Sequence, residues 1–431
     1  MKPLARSIAI FSLAVLILFL GIVRVQTTAA DSQSLALTGA KIYISPTAAP
    51  LVNRVILIRG GKIVSVAPAS SLAVPKDTKT LDCTGSVIVA GFQNSHIHFT
   101  EDKWNDAADQ PAQKLAKQLE DMLTSHGFTT VVDIGSYLPN TVAIRKRVES
   151  GEVPGPRIFT AGSGLFPPNG APFYIPDSIK PLLPQPATPE AAIQIVQSQI
   201  NGGADVTKLF TGSLFSRTEI KLMPQDIATA AVTLSHQHNH LVFAHPSNIP
   251  GVEVALNAGV DVLAHTTPIS GKWDDALIAK MIARHMSLTP TLKLWLVEAR
   301  KDNATPEQAE SFAAKGVAEL VQYQRAGGQI LFGTDVGYVT DYDVTEEYRL
   351  MSQAGLSPMQ ILASLTTAPA ARFGESQTRG QIADGMDADL VVLSADPAND
   401  ASNLAKVRYT IRHGQIIYTA PTGESLKLSQ N

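Results

Sequence analysis

From residue 87 to residue 334 the chain alternates strand-like apolar runs with amphipathic stretches, and this alternation restricts the fold more than any other feature. The strand-like runs fall near 87–93, 129–134, 157–161, 205–210, 241–245, 260–264, 286–291 and 329–334. Segments with helical spacing of apolar residues separate them, among them 112–126, 189–201 and 224–238. Eight such units predict an α/β fold of the (β/α)8 TIM-barrel type, in which active sites form at the C-terminal ends of the strands. The flanks read differently. Residues 31–85 carry short β segments, with Gly60-Gly61 as a hairpin turn between 54–59 and 62–66. Residues 377–431 repeat that style at 389–393, 407–412 and 415–418. Neither flank is long enough for a good core alone. Both termini are therefore expected to build one small β-sandwich domain, leaving 86–376 as the barrel.

The 431 residues are 45% hydrophobic, enough for a large buried core. A formal charge of −3, with no basic block, predicts no nucleic-acid partner. Residues 1–30 look like a signal peptide. Lys2 and Arg6 precede an apolar run from Ile8 to Val23, and Thr28-Ala29-Ala30 offers small residues for cleavage. The expected location is periplasmic or secreted, with no stable membrane association after cleavage. An uncleaved N-terminal membrane anchor is the alternative. Cys83 is the single cysteine, so no internal disulfide can form, and it reads as a small buried residue.

Polar residues close several of the strand-like runs. His96 and His98 end the first. Residues two apart in a strand share a face, so both imidazoles project together at its tip. Lys208 lies in the fourth run, His245 ends the fifth, His265 ends the sixth and Asp335 follows the eighth. All six should face one mouth of the barrel. Four neutral imidazoles and a carboxylate suit Zn2+ or a similar divalent ion. His236, His238 and His240 stand at the end of the helix before the fifth run, at the opposite end of the barrel, and are expected to be solvated or capping residues.

The set resembles the amidohydrolase superfamily. Its markers here are Gly91-Phe92-Gln93-Asn94-Ser95-His96-Ile97-His98, Ala244-His245, Val262-Leu263-Ala264-His265 and Gly333-Thr334-Asp335, with Gly380 to Val391 leading into the terminal β segments. The resemblance covers nearly all of the chain after residue 30. It implies a two-metal site, with His96, His98 and Asp335 on the more buried ion and His245 and His265 on the other. It also implies that Lys208 carries a CO2-derived carbamate bridging both ions, with Zn2+ as the expected metal in each position. An ammonium beside two cations is unfavourable, whereas a carbamate is an anionic two-oxygen ligand.

Two divalent ions about 3.5–4 Å apart lower the pKa of a shared water. Asp335 would then act as general base and acid. The implied reaction is hydrolysis of an amide or peptide bond in a small-molecule substrate. Prolidase-like peptidases are the most similar group, which points to a dipeptide or N-acyl amino acid; imidazolonepropionase is a second relative. That group often carries Gly-Gly-His after the third strand, and Phe166 to Tyr174 here has no histidine. A lactonase or phosphotriesterase with the same chemistry is an alternative, as is a binding protein without activity. Tyr137, Tyr174, Trp295 and Tyr338 are candidates for lining the mouth. A homo-oligomer is left open.

Overall fold

The computed structural model of the protein describes residues 34–421 and 428–429. The expected signal segment, 1–30, lies outside the described residues. Among those described, no helix is long and apolar enough to cross a membrane.

The two ends of the chain share a sheet. Val87–Ala90 pairs antiparallel with Leu390–Leu393, and the sheet continues through Val407–Arg412 to Gln415–Thr419 on one side and to Lys41–Ile42 on the other. A second five-stranded sheet holds Ser34–Thr38, Arg54–Arg59, Lys62–Pro68 and Lys79–Asp82, with Leu428–Ser429 on its edge. The hairpin between its 54–59 and 62–68 strands turns at Gly60 and Gly61, with φ of 56° and 73°. Both values are positive, as a two-residue turn matching the twist of its strands requires. One apolar cluster joins residues from both sheets and both termini, including Leu37, Ile56, Cys83, Ile88, Leu390 and Ile411.

The run 87–93 is not one strand. The backbone N–H of Gly91 donates to Asp389 O, while that of Phe92 donates to Gly127 O. The chain thus leaves the terminal sheet at Gly91, later than the boundary expected at residue 86, and enters a different sheet as Phe92–Ile97.

That strand runs parallel to Phe128–Asp133, which runs parallel to Arg157–Thr160. Thr207–Phe210, Val242–His245, Val262–Ala264 and Ser287–Thr289 form a second parallel sheet. Helices connect successive strands, as parallel order demands. They include Ala112–Met122, Leu138–Glu149, Pro189–Asn201, Gln225–Gln237, Ile249–Ala258 and Asp275–Ala283. Several start on a side-chain cap that accepts a backbone N–H of the first turn: Thr188 from Ala191, Asn248 from Gly251 and Asp274 from Leu277.

The eighth expected strand, 329–334, is not a regular strand. It makes isolated bridges instead. Leu288 N donates to Gln329 O and Leu331 N to Leu288 O, both at 2.9 Å. Ser95 N then donates to Phe332 O at 2.8 Å, and Asp335 N to His96 O at 2.9 Å. Asp205 N donates to Thr160 O at 2.7 Å, and Leu165 beyond that strand bonds Lys208 O and Phe210 N, which together link the two parallel sheets. The architecture is therefore mixed α/β, with seven regular parallel strands in two sheets joined by bridged segments among the described residues.

Side-chain alternation sets the layers. Val132, Val206, Phe243, Val262 and Leu331 come from five different segments and share one small apolar cluster. Two residues beyond Val206 is Lys208, and two beyond Phe243 is His245. The polar layer thus stands one strand step above an apolar plug.

Candidate metal centre

Five of the six predicted residues meet through short contacts. His96 Nε2 and His98 Nε2 are 3.3 Å apart. Asp335 Oδ1 lies 2.9 Å from His98 Nε2 and 3.2 Å from His96 Nε2. The His96 ring centroid is 4.6 Å from that of His265, which is 4.7 Å from that of His245. His96, His265 and Asp335 each place one ligand atom within 4.8 Å of the others. Lys208 joins them by its charge, which opposes protonation of His96, His245 and His265. Its Nζ makes no hydrogen bond or salt bridge among the described residues, and stands 5.5 Å from the Phe210 ring centre.

The donor chemistry fits a cation. His98 Nδ1 is 3.0 Å from the carbonyl of Gly135, which can only accept, so Nδ1 carries a proton in this contact. In the neutral ring Nε2 is then a bare lone pair facing an Asp335 oxygen at 2.9 Å. Two electron pairs at that distance repel unless a cation or a proton lies between them. Asp335 Oδ1 is buried and makes no hydrogen bond of normal geometry among the described residues. Tetrahedral coordination at about 2.0–2.1 Å sets donors about 3.3 Å apart, close to the spacing of these three atoms.

Burial governs the protonation states. It lowers the His96 and His245 imidazoles to about 3 and takes His265 well below its ordinary value. All three imidazoles are thus neutral at physiological pH. Burial also lowers Lys208 to about 7, with only the Asp335 charge opposing it. Burial alone would raise Asp335, whereas a proton on His96 or His98 beside its carboxylate acts the other way and holds it well below the carboxylate range. Backbone strain gathers at the same mouth. Ser247, His265, Thr291 and Asp335 have φ of 54°, 77°, 45° and 59°, a region that non-glycine residues seldom adopt.

A family model, the amidohydrolase family, matches residues 87–417. The chain belongs to the amidohydrolase family. Like its relatives, this amidohydrolase is a metal-dependent hydrolase acting on carbon–nitrogen bonds. It is 24% identical to an ochratoxinase of Aspergillus niger over 411 residues, which span 86% of this chain and 83% of the relative. The crystal structure of a candidate prolidase of Bifidobacterium longum superposes with a TM-score of 0.74 at 27% identity, covering 89% of this chain and 94% of the other. That of a Xaa-Pro dipeptidase with methionine bound in its active site gives a TM-score of 0.76 at 22% identity, covering 90% and 100%. These solved neighbours imply a TIM-barrel-like fold.

Other residues of the amidohydrolase site carry no motif. Gly135 O and Thr291 Oγ1 bond the Nδ1 atoms of His98 and His265, the latter at 2.6 Å. Ser247 Oγ lies 3.1 Å from His245 Nε2. Phe166 stacks on Phe210 at 4.1 Å, and Phe210 stacks on His245 at 4.8 Å, which gives one side of the site an aromatic wall. Of the aromatic candidates, Trp295 is buried and bonds Thr266 Oγ1. Tyr174 packs 5.7 Å from Tyr338, whose hydroxyl donates to Glu298, and Tyr137 is exposed. His236 pairs with Asp261, just before the Val262–Ala264 strand and away from the strand tips.

Proposed function

We propose that this amidohydrolase cleaves the amide bond of a small dipeptide or N-acyl amino acid at a two-metal site. His96, His98 and Asp335 hold one divalent ion, Zn2+ in this reading. His245 and His265 hold the second, and carboxylated Lys208 bridges the two. The observation that carries the proposal is a largely buried triangle of His96 Nε2, His98 Nε2 and Asp335 Oδ1, with edges of 2.9 to 3.3 Å, close to a buried lysine whose amine makes no salt bridge among the described residues. The ochratoxinase and the candidate prolidase are the named relatives that bear on the substrate class.

When bound, the ions supply Lewis acidity toward the scissile carbonyl and acidify the attacking water. The rest falls to the chain. The Asp335 carboxylate takes a proton from that water as its oxygen adds to the carbonyl carbon, then delivers it to the amide nitrogen as the C–N bond breaks. The neutral imidazoles need lose no proton before acting as ligands. The Phe166–Phe210 wall excludes water from one side and presents an apolar face to the substrate. In the same reading the two parallel sheets and the bridged 330–336 segment form a (β/α)8 barrel, and the two terminal sheets form a β-sandwich. Residues 1–30 direct export.

The test is a screen of residues 31–431, loaded with Zn2+ and bicarbonate, against N-acyl amino acids, dipeptides, lactones and aryl phosphotriesters. Amide hydrolysis that disappears in Lys208→Ala is the expected result. Asp335→Asn should retain part of its metal and lose about 100-fold or more in kcat. Turnover confined to lactones or phosphotriesters, or wild-type turnover in Asp335→Asn, would contradict the reading.

A further inference from the structure

His265 does not aim itself. Its Nδ1 lies 2.6 Å from Thr291 Oγ1, and the same hydroxyl is 2.9 Å from the carbonyl oxygen of Pro290. A hydroxyl has one hydrogen, and a carbonyl can only accept. The Thr291 hydrogen therefore goes to Pro290, and Oγ1 must accept from His265 Nδ1–H. That contact puts the imidazole proton on Nδ1 and leaves Nε2 as the bare nitrogen.

Thr291 has a left-handed backbone conformation, with φ of 45° and ψ of 52°. A β-branched residue needs outside support to stay in that left-handed region. The support comes from another element. The next two backbone N–H groups, Leu292 and Lys293, donate to the two oxygens of Glu347 at 2.9 and 2.8 Å. Glu347 is buried and reaches in from the Thr345–Gln353 helix. Lys293 Nζ then ties the same turn to the carbonyls of Asp341 and Asp343, on the segment that follows Asp335.

We propose that Thr291 and Glu347 are positioning residues for His265: Glu347 locks the turn at Thr291, and Thr291 fixes the tautomer and direction of the imidazole. The proposal rests on the reading of His265 as a ligand of the second ion. Its two parts are separable by experiment.

Zn2+ binding is titrated by chelator competition in the wild type, Thr291→Val, Thr291→Ser, Glu347→Gln and His265→Ala. The His265 tautomer is read in the metal-free protein from 15N-labelled imidazole shifts. Thr291→Val keeps shape but not the acceptor, and should weaken the second ion about 10–100-fold. Thr291→Ser keeps the acceptor and should stay within about threefold of wild type. Glu347→Gln should weaken binding in the same direction and add little on top of Thr291→Val, because both act through one turn. The wild-type His265 should show the Nδ1–H tautomer, and Thr291→Val a mixture. Wild-type affinity and tautomer in Thr291→Val, while His265→Ala loses the second ion, would overturn the positioning role and leave the ligand reading intact. Equal weakening by Ser and Val would overturn it too. Wild-type affinity in His265→Ala would defeat the ligand reading, and the tautomer would still decide the role of Thr291.

Discussion

Lys208 should take up CO2 with a pH profile centred near neutrality. Only the neutral amine attacks CO2, so the neutral fraction governs the rate of uptake. Burial brings this amine from 10.5 to about 7. That shift corresponds to about 5 kcal/mol between the two protonation states. At pH 7.4 roughly 70% of such an amine is neutral, against about 0.1% of an ordinary lysine. The perturbation is to strip metal and CO2 and then restore 13C-labelled CO2 at fixed dissolved concentration across a pH series. The assay follows the carbamate 13C resonance in wild type and in Lys208→Met. The initial rate of uptake that depends on Lys208 should be half-maximal near pH 7 and level above pH 8, one proton being released to solvent for each carbamate formed. The same shift makes the unfolded chain bind more protons than the folded one between pH 7 and 10.5. Metal-free stability should therefore rise with pH in that window, by up to about 1.4 kcal/mol per unit, relative to Lys208→Met. A carbamate signal absent from the wild type, or an initial rate that climbs toward pH 10 like that of an exposed lysine, would refute the reasoning.

Two further outcomes follow from packing and charge. Glu319 is buried, accepts from the backbone N–H of Thr267 at 2.5 Å, and is raised to about 8 by burial. The folded state then holds a proton that the unfolded state has released between pH 4.5 and 8, so stability should fall as pH rises through that window. Glu319→Gln should flatten this slope by up to about 1.4 kcal/mol per pH unit in urea titrations. Gly337 has φ of 98°, and a Cβ there would stand 1.8 Å from His98 O. Gly337→Ala should lower stability by at least about 2 kcal/mol by denaturant midpoint and weaken metal binding, because the backbone that moves is the one carrying His98.

The strand tips were legible because side-chain type and period coincide there. Val242 to His245 is an apolar run closed by a ligand-type residue, and Val262 to His265 repeats the pattern. The change of sheet at Gly91 was not legible. Phe92 follows the apolar run Val87 to Ala90 directly after the glycine, and only the partners Asp389 and Gly127 separate the two strands. The 329–334 run looks like a strand by composition, yet its backbone groups divide between Leu288 on one side and Ser95 on the other without forming a ladder. At the site, the six candidates are ligand-type residues at regular positions. Gly135 contributes only a carbonyl, and Thr291 acts through a positive φ that residue type does not signal. Glu347 reads as surface charge beside Glu346, but its side chain turns inward to two backbone N–H groups.

The central claim is that six residues from five segments form one two-metal site. It is tested most directly by the number of divalent ions bound per chain, measured by inductively coupled plasma mass spectrometry after reconstitution with Zn2+ and bicarbonate. The account predicts close to two ions in the wild type, and a fall to one or fewer in Lys208→Ala. A wild-type protein that binds one ion or none, or a Lys208→Ala variant that keeps two, would contradict it.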